Sequence, residues 1–193
     1  MRHQALLNID YTRDFVADDG KLSCGAPGQA LEDAIVHITD AFIEAGDEVF
    51  FAIDAHTEND PYHPEAKLFP PHNIIGTPGR ALYGKLAEVY ARHRDKAYVH
   101  YFDKTRYSAF VGTPLETKLR ERGITELHLV GVCTDICILH TAIDAYNKGF
   151  DIVIHEKGVA SFNPSGHAFA LEHVANVLGG KVIRDTPEPL LQA

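Results

Sequence analysis

Short apolar runs alternate with helically spaced stretches along this chain. The runs at 5–9, 48–53, 97–102, 126–132, 151–155 and, more weakly, 181–183 read as strands. Between them, apolar positions recur every three to four residues at about 29–45, 79–93, 114–122, 135–148 and 164–178, which predicts helices. The first carries Leu31, Ile35, Ile38 and Phe42 on one stripe and stops at Gly46. Pro78, Pro114 and Pro164 mark helix starts, and Gly123, Gly149 and Gly179 mark ends. Such alternation predicts βαβ units with right-handed crossovers. The fold class expected is therefore α/β, a three-layer α/β/α sandwich with a mostly parallel sheet of about six strands.

One segment breaks the rhythm. Residues 55–78 hold five of the ten prolines and three of the twelve histidines and follow neither period. A structureless connection of that length inside a compact domain is usually functional, the alternative being a decorative surface loop. There is no internal repeat, and 193 residues at 45% hydrophobic and 23% charged predict a single globular domain over 1–193. A net charge of −9 without a Lys/Arg cluster argues against nucleic acid or an anionic membrane as partner. No apolar run approaches the ~20 residues of a membrane span. The start, Met1-Arg2-His3-Gln4, runs straight into a strand and predicts no secretory signal. Three cysteines make an odd count without a disulfide framework, which suits the cytoplasm.

In a parallel sheet, ligands bind beyond the C-terminal strand ends. Four predicted strands deliver reactive groups to that edge: Asp10, the pair Asp54 and His56, Asp103-Lys104, and the stretch Cys133 to Cys137. Any one could be a solvated charge or a small buried hydrophobe; their arrival at one edge favours chemistry. With Thr134 or Asp135 as N-cap, Cys137 falls at about the second or third helical position, where free N–H groups and the helix dipole favour a thiolate. Asp10 can take a proton from that thiol and return it to a leaving amine, and Lys104 can hold the carboxylate. Whether Lys104 lowers the Asp10 pKa or burial raises it stays open at this level. Asp54 and His56, at i and i+2, share a side of the chain, and Glu65 and His72 of the proline-rich loop could complete a mononuclear site, with His63 competing. Two imidazoles and two carboxylates suit Zn²⁺, Mn²⁺ or Fe²⁺ better than Ca²⁺.

Together the motifs Ile9-Asp10-Tyr11-Thr12-Arg13-Asp14-Phe15, Ile53-Asp54-Ala55-His56, Lys104-Thr105-Arg106-Tyr107-Ser108-Ala109-Phe110 and Gly131-Val132-Cys133-Thr134-Asp135-Ile136-Cys137 resemble the isochorismatase-like cysteine hydrolases over essentially the whole chain. Within these, residues 61–72 resemble the nicotinamidases of low-GC Gram-positive bacteria. The resemblance implies an isochorismatase-like hydrolase fold, a triad of Asp10, Lys104 and Cys137, and one divalent metal on Asp54, His56, Glu65 and His72. It implies Zn²⁺ first, with Mn²⁺, Fe²⁺ or Mg²⁺ as alternatives. It implies a ring pocket of Phe15, Leu22, Phe69 and Tyr107, a cis peptide at Val132-Cys133, and an oxyanion hole from the N–H groups of Cys133 and Cys137. The activity implied is hydrolysis of nicotinamide to nicotinate and ammonia through a cysteine thioester, with pyrazinamide as a further substrate, NAD salvage as the setting and a homo-oligomer as the assembly. The rivals are a relative acting on a carbamoyl, ureido or enol-ether substrate, and a non-catalytic metal-stabilised binder. Many members carry glutamine where Thr12 stands. Cys24 reads as an incidental thiol, His128 and His155 have no assignable role, and the tail from Asp185 is expected to be loosely ordered or packed on a neighbouring subunit.

Overall fold

A computed structural model describes residues 3–184; the tail from Asp185 lies outside the described residues. The strands are β1 (Gln4–Ile9), β2 (Glu48–Asp54), β3 (Val99–Lys104), β4 (Glu126–Val132), β5 (Asp151–Ala160) and β6 (Lys181–Ile183). All pair in parallel, in the order β3-β2-β1-β4-β5-β6. The chain winds outward in one direction from β1 to β3 and in the other from β4 to β6, so the winding reverses between β1 and β4. That reversal opens the crevice where parallel sheets bind ligands.

The helices are α1 (Arg13–Val16), α2 (Ala26–Gln29), α3 (Glu32–Ala45), α4 (Gly84–His93), α5 (Leu115–Glu121), α6 (Leu139–Asn147) and α7 (Pro164–Asn176). Successive strand residues face opposite sides, and the core divides accordingly. Leu6, Val49, Phe51, Ile53 and Val130 pack with Ile35, Ile38 and Phe42 of α3 and Leu86 and Val89 of α4. Ala5, Leu7, Ile9, Phe50, Leu127 and Leu129 pack with Leu115 of α5, Ala142 of α6 and Leu171 of α7. Three layers result, as the alternation predicts.

The structure corrects several boundaries. The helix expected at 29–45 is two, because α2 ends at Gln29 and α3 begins at Glu32. The helix expected from 79 begins at Gly84; Pro78–Arg80 is a separate 3-10 turn. The third strand is shifted to Val99–Lys104, so Lys104 is its last residue rather than part of the following loop. The fifth strand runs five residues further than its apolar pattern, past the polar Glu156 and Lys157, by means of a register shift opposite Leu129 and Gly131 of β4. Gly131 (φ 122) is required at the centre, since a Cβ there would overlap the Ile9 carbonyl oxygen of β1.

Two buried histidines span β4 and β5: His128 Nδ1 and His155 Nε2 are 2.8 Å apart. Burial pushes the His155 imidazole down to about 4, with His128 and Lys181 adding to the effect. The folded protein then binds fewer protons than the unfolded chain between the ordinary value near 6.5 and 4. Stability is held above about pH 6.5 and falls as pH drops through that window, by roughly 3 kcal/mol at most. Urea unfolding at pH 7.5, 6 and 5 should show a shallower decline in His155→Gln than in the parent, and equal slopes would contradict the assignment.

Candidate active site and metal centre

Asp10 follows β1 directly and has φ 56, a left-handed conformation uncommon outside glycine but tolerated by Asp. Its carboxylate turns to the sheet edge, where Oδ1 accepts from the Asp54 N–H (2.8 Å) at the end of β2. Lys104, fully buried at the end of β3, places its ammonium between two carboxylates: 2.7 Å from Asp10 Oδ2 and 2.5 Å from Asp54 Oδ1. It also donates to the Arg106 carbonyl (3.1 Å) and lies 3.6 Å from Cys137 Sγ. Ligand-type atoms of Asp10, Asp54 and Cys137 all fall within 4.8 Å of one another. The structure thus brings the three predicted triad residues together on either side of the winding reversal.

The turn carrying Cys137 differs from the expected helix start. Residues Thr134–Ile138 form one π-helical turn that leads into α6, with Cys133 at the capping position and neither Thr134 nor Asp135 capping through its side chain. The Cys133 carbonyl accepts from the N–H groups of Ile136 (3.1 Å) and Ile138 (3.2 Å), leaving the intervening Cys137 N–H out of that pair of bonds. The Val132-Cys133 peptide is cis.

Burial decides the protonation states. Desolvation, reinforced by the Asp54 charge and opposed by Lys104, pushes Asp10 up to about 7. Asp54 feels the same burial, but the charge of Lys104 and the hydrogen bond it donates outweigh it and hold it at about 2. Burial pushes the Cys137 thiol well above its ordinary range despite Lys104, and the two carboxylates add to the rise. Burial and the two carboxylates thus favour the neutral thiol, in opposition to Lys104 and to the free N–H groups of the helix start, which favour the thiolate.

A second cluster shares Asp54. Its Oδ2 lies 3.7 Å from His56 Nε2, which is 3.9 Å from Glu65 Oε1; Glu65 Oε2 is 3.4 Å from His72 Nε2. All four side chains are buried, and Asp54 Oδ2, His56 Nε2 and His72 Nε2 have no hydrogen-bond partner. Ligands at 2.0–2.1 Å in a tetrahedron sit about 3.4 Å apart, so this spacing suits one small divalent cation. His72 Nδ1 donates to the Pro70 carbonyl (2.8 Å), which leaves Nε2 with a bare lone pair aimed at the cluster.

The expected competitor, His63, is not available as a ligand. Its Nδ1 accepts from the Glu65 N–H (3.2 Å), so its Nε2–H donates to the Thr105 carbonyl (2.8 Å). Both ring nitrogens are taken up in fastening the 3-10 turn Pro64–Lys67, which points Glu65 inward.

Of the expected ring-pocket residues, Phe15 and Phe69 flank His72, with ring centroids at 5.2 and 6.2 Å. Leu22 packs in the same cluster as Phe15. Tyr107, half-buried, follows β3; burial raises its phenol, and the charges of Glu65, Cys137 and Asp54 contribute to the rise. Sequence reasoning missed three supports. Arg80 donates to the Asp54 carbonyl (2.7 Å) and pairs with Asp103. Cys24 Sγ lies 3.2 Å from Cys133 Sγ, tying the α1–α2 loop to the turn that carries Cys137. Asp14 carries no reactive signature of its own; its place in the motif beginning at Asp10 is the only hint.

A family model for the isochorismatase domain matches residues 4–186. The isochorismatase family protein PncA of Bacillus subtilis is 63% identical over 179 residues, covering 93% of this chain and 98% of that one. The crystal structure of nicotinamidase/pyrazinamidase PncA from Bacillus subtilis superposes with a TM-score of 0.93 at 59% identity, over 95% of this chain and 100% of its own. The pyrazinamidase of Pyrococcus horikoshii, solved in complex with zinc, superposes with a TM-score of 0.80 at 26% identity, over 95% and 99%.

Proposed function

Because the chain belongs to the isochorismatase family, we infer that it is a nicotinamidase, hydrolysing nicotinamide to nicotinate and ammonia and returning the ring to NAD salvage. Pyrazinamide is a second substrate in this reading. One observation carries it: Lys104 joins a thiol–carboxylate pair to a four-ligand cation site, so an amide and an aromatic nitrogen can be gripped at once. A carbamoyl, ureido or enol-ether group does not itself supply the aromatic nitrogen for the second grip.

In the proposed mechanism Asp10 accepts the Cys137 proton as the sulfur attacks the amide carbon, and the proximity of the two groups replaces a bimolecular encounter. The N–H groups of Cys133 and Cys137 receive the oxyanion; losing one such donor typically slows catalysis by about 10²–10³. Asp10 passes its proton to the leaving nitrogen, the C–N bond breaks and ammonia departs, leaving a thioester. Asp10 then takes a proton from water, whose oxygen adds to the thioester carbon. The C–S bond breaks and the sulfur recovers its proton. Lys104 keeps the Asp10 carboxylate aimed throughout, and Phe15, Leu22, Phe69 and Tyr107 enclose the ring. The four ligands Asp54, His56, Glu65 and His72 would hold a divalent cation, for which we propose zinc; when bound, it supplies a Lewis-acid anchor for the pyridine nitrogen. We place the protein in the cytoplasm as a homo-oligomer. No helix among the described residues is long and apolar enough to cross a membrane.

The test is ammonia release from nicotinamide. Stripping the metal with a chelator should lower the rate at least about 100-fold, and stoichiometric zinc should restore it. A rate indifferent to stripping would overturn the role given to the metal site, and absence of ammonia under all conditions would overturn the reading as a whole.

A further inference from the structure

Asp14 is a buried carboxylate that the chemistry above does not use. It is 6% exposed, and among the described residues no cationic side chain lies within ion-pair reach. Two backbone N–H groups satisfy it instead: Asn73 on Oδ2 (2.8 Å) and Lys21 on Oδ1 (3.3 Å). The bare backbone of Gly79 lies against the same carboxylate, and a Cβ there would overlap it. Burying an ionised carboxylate is unfavourable unless hydrogen bonds hold it, so the arrangement fixes what it bonds to.

What it fixes is Asn73. This fully buried residue sits at φ 45, directly after His72. Its carbonyl accepts from the His56 N–H (3.0 Å), and its side-chain oxygen accepts from the Thr12 hydroxyl (2.9 Å). One residue therefore sets the spacing of two predicted metal ligands and is itself fastened to the segment after β1. That segment also carries Phe15, whose ring meets His72. Thr12 belongs to the same fastening.

We propose that Asp14 is a positioning residue for the metal centre: its carboxylate locks the Asn73 backbone, and with it the spacing of His56 and His72, onto the segment that holds the ring-binding Phe15. The proposal rests on the metal-dependent nicotinamidase reading. It predicts that loss of the carboxylate loosens the cation and the ring before it touches the chemistry at Cys137.

The experiment compares zinc-loaded parent protein with Asp14→Asn and Asp14→Ala by titration against a chromogenic zinc chelator, alongside thermal melting and steady-state kinetics in saturating zinc. Asp14→Ala should bind zinc about 10- to 100-fold more weakly, the range typical for groups that orient metal ligands. Asp14→Asn, which keeps the shape and one acceptor oxygen, should fall between it and the parent and serves if the alanine variant fails to fold. In both, KM for nicotinamide should rise by more than kcat falls. A folded Asp14→Asn protein with parental zinc affinity and parental KM, even one melting earlier, would show that Asp14 merely supports the fold and would overturn the proposal. If the parent holds stoichiometric zinc in that case, the metal reading survives; if the parent holds no zinc, both fall.

Discussion

Replacing Cys137 with alanine should abolish nicotinamide turnover, by about 10⁴-fold or more, while leaving divalent-metal content and nicotinamide binding in place. The size of the effect follows from the surroundings of the sulfur. Cys137 is the thiol within reach of both the Asp10 carboxylate and the Lys104 ammonium. The other two cysteines cannot replace it, because Cys24 and Cys133 face each other at 3.2 Å and their mutual contact pushes the Cys133 thiol far up. Serine should not rescue activity either, since a hydroxyl is a far weaker acid than a thiol and Asp10, at about 7, is a correspondingly weak base for it. Ammonia release and calorimetric titration with nicotinamide check the two halves of the expectation. Residual turnover above about one hundredth of the parent in the alanine variant would remove Cys137 from its assigned role.

Lys104→Met should be damaging in a different way, to the fold as well as to the reaction. The ammonium is fully buried and separates two buried carboxylates, Asp10 and Asp54. Methionine fills much of the same volume but leaves two like charges facing each other without compensation, a loss of roughly 3–5 kcal/mol when one partner of a buried ion cluster is removed. Part of the strain is relieved if Asp10 holds its proton more tightly, and a protonated Asp10 cannot accept the thiol proton. Activity at neutral pH should therefore fall at least about 10³-fold, as expected when a general base is lost. Urea denaturation of parent and variant measures the first effect and ammonia release the second. A variant of parental stability would show that the lysine is not what reconciles the two acids.

The periodicity of the chain exposes most of the scaffold because a parallel sheet buried on both faces needs apolar runs, and helices over it need one apolar stripe. Asp10, Asp54 and the Cys133–Cys137 stretch stand out for the same reason: each is polar or reactive where an apolar run ends. The misses come from interactions between segments distant in the chain. Pro78 resembles a helix start, but the turn it begins lays the bare backbone of Gly79 against Asp14 and is fastened by Arg80 on the Asp54 carbonyl, and α4 starts later. The polar stretch in β5 hides a strand that a register shift allows to continue. The acidity of Cys137 depends on burial, on Lys104 and on two carboxylates brought beside it from other strands, none of which the local sequence around the helix start reveals. His63 shows the limit most directly, because its exclusion as a ligand depends on the carbonyl of Thr105, brought beside it by folding.

The sharing of Asp54 between two neighbours constrains anyone who would redesign this enzyme. Exchanging that aspartate for histidine to recruit a softer ion would also strip the buried lysine of one of its two counter-anions. The proton shuttle would be retuned along with the ion preference. Laboratory evolution of one trait should then drag the other with it, and useful variants would have to alter both sides of the lysine together.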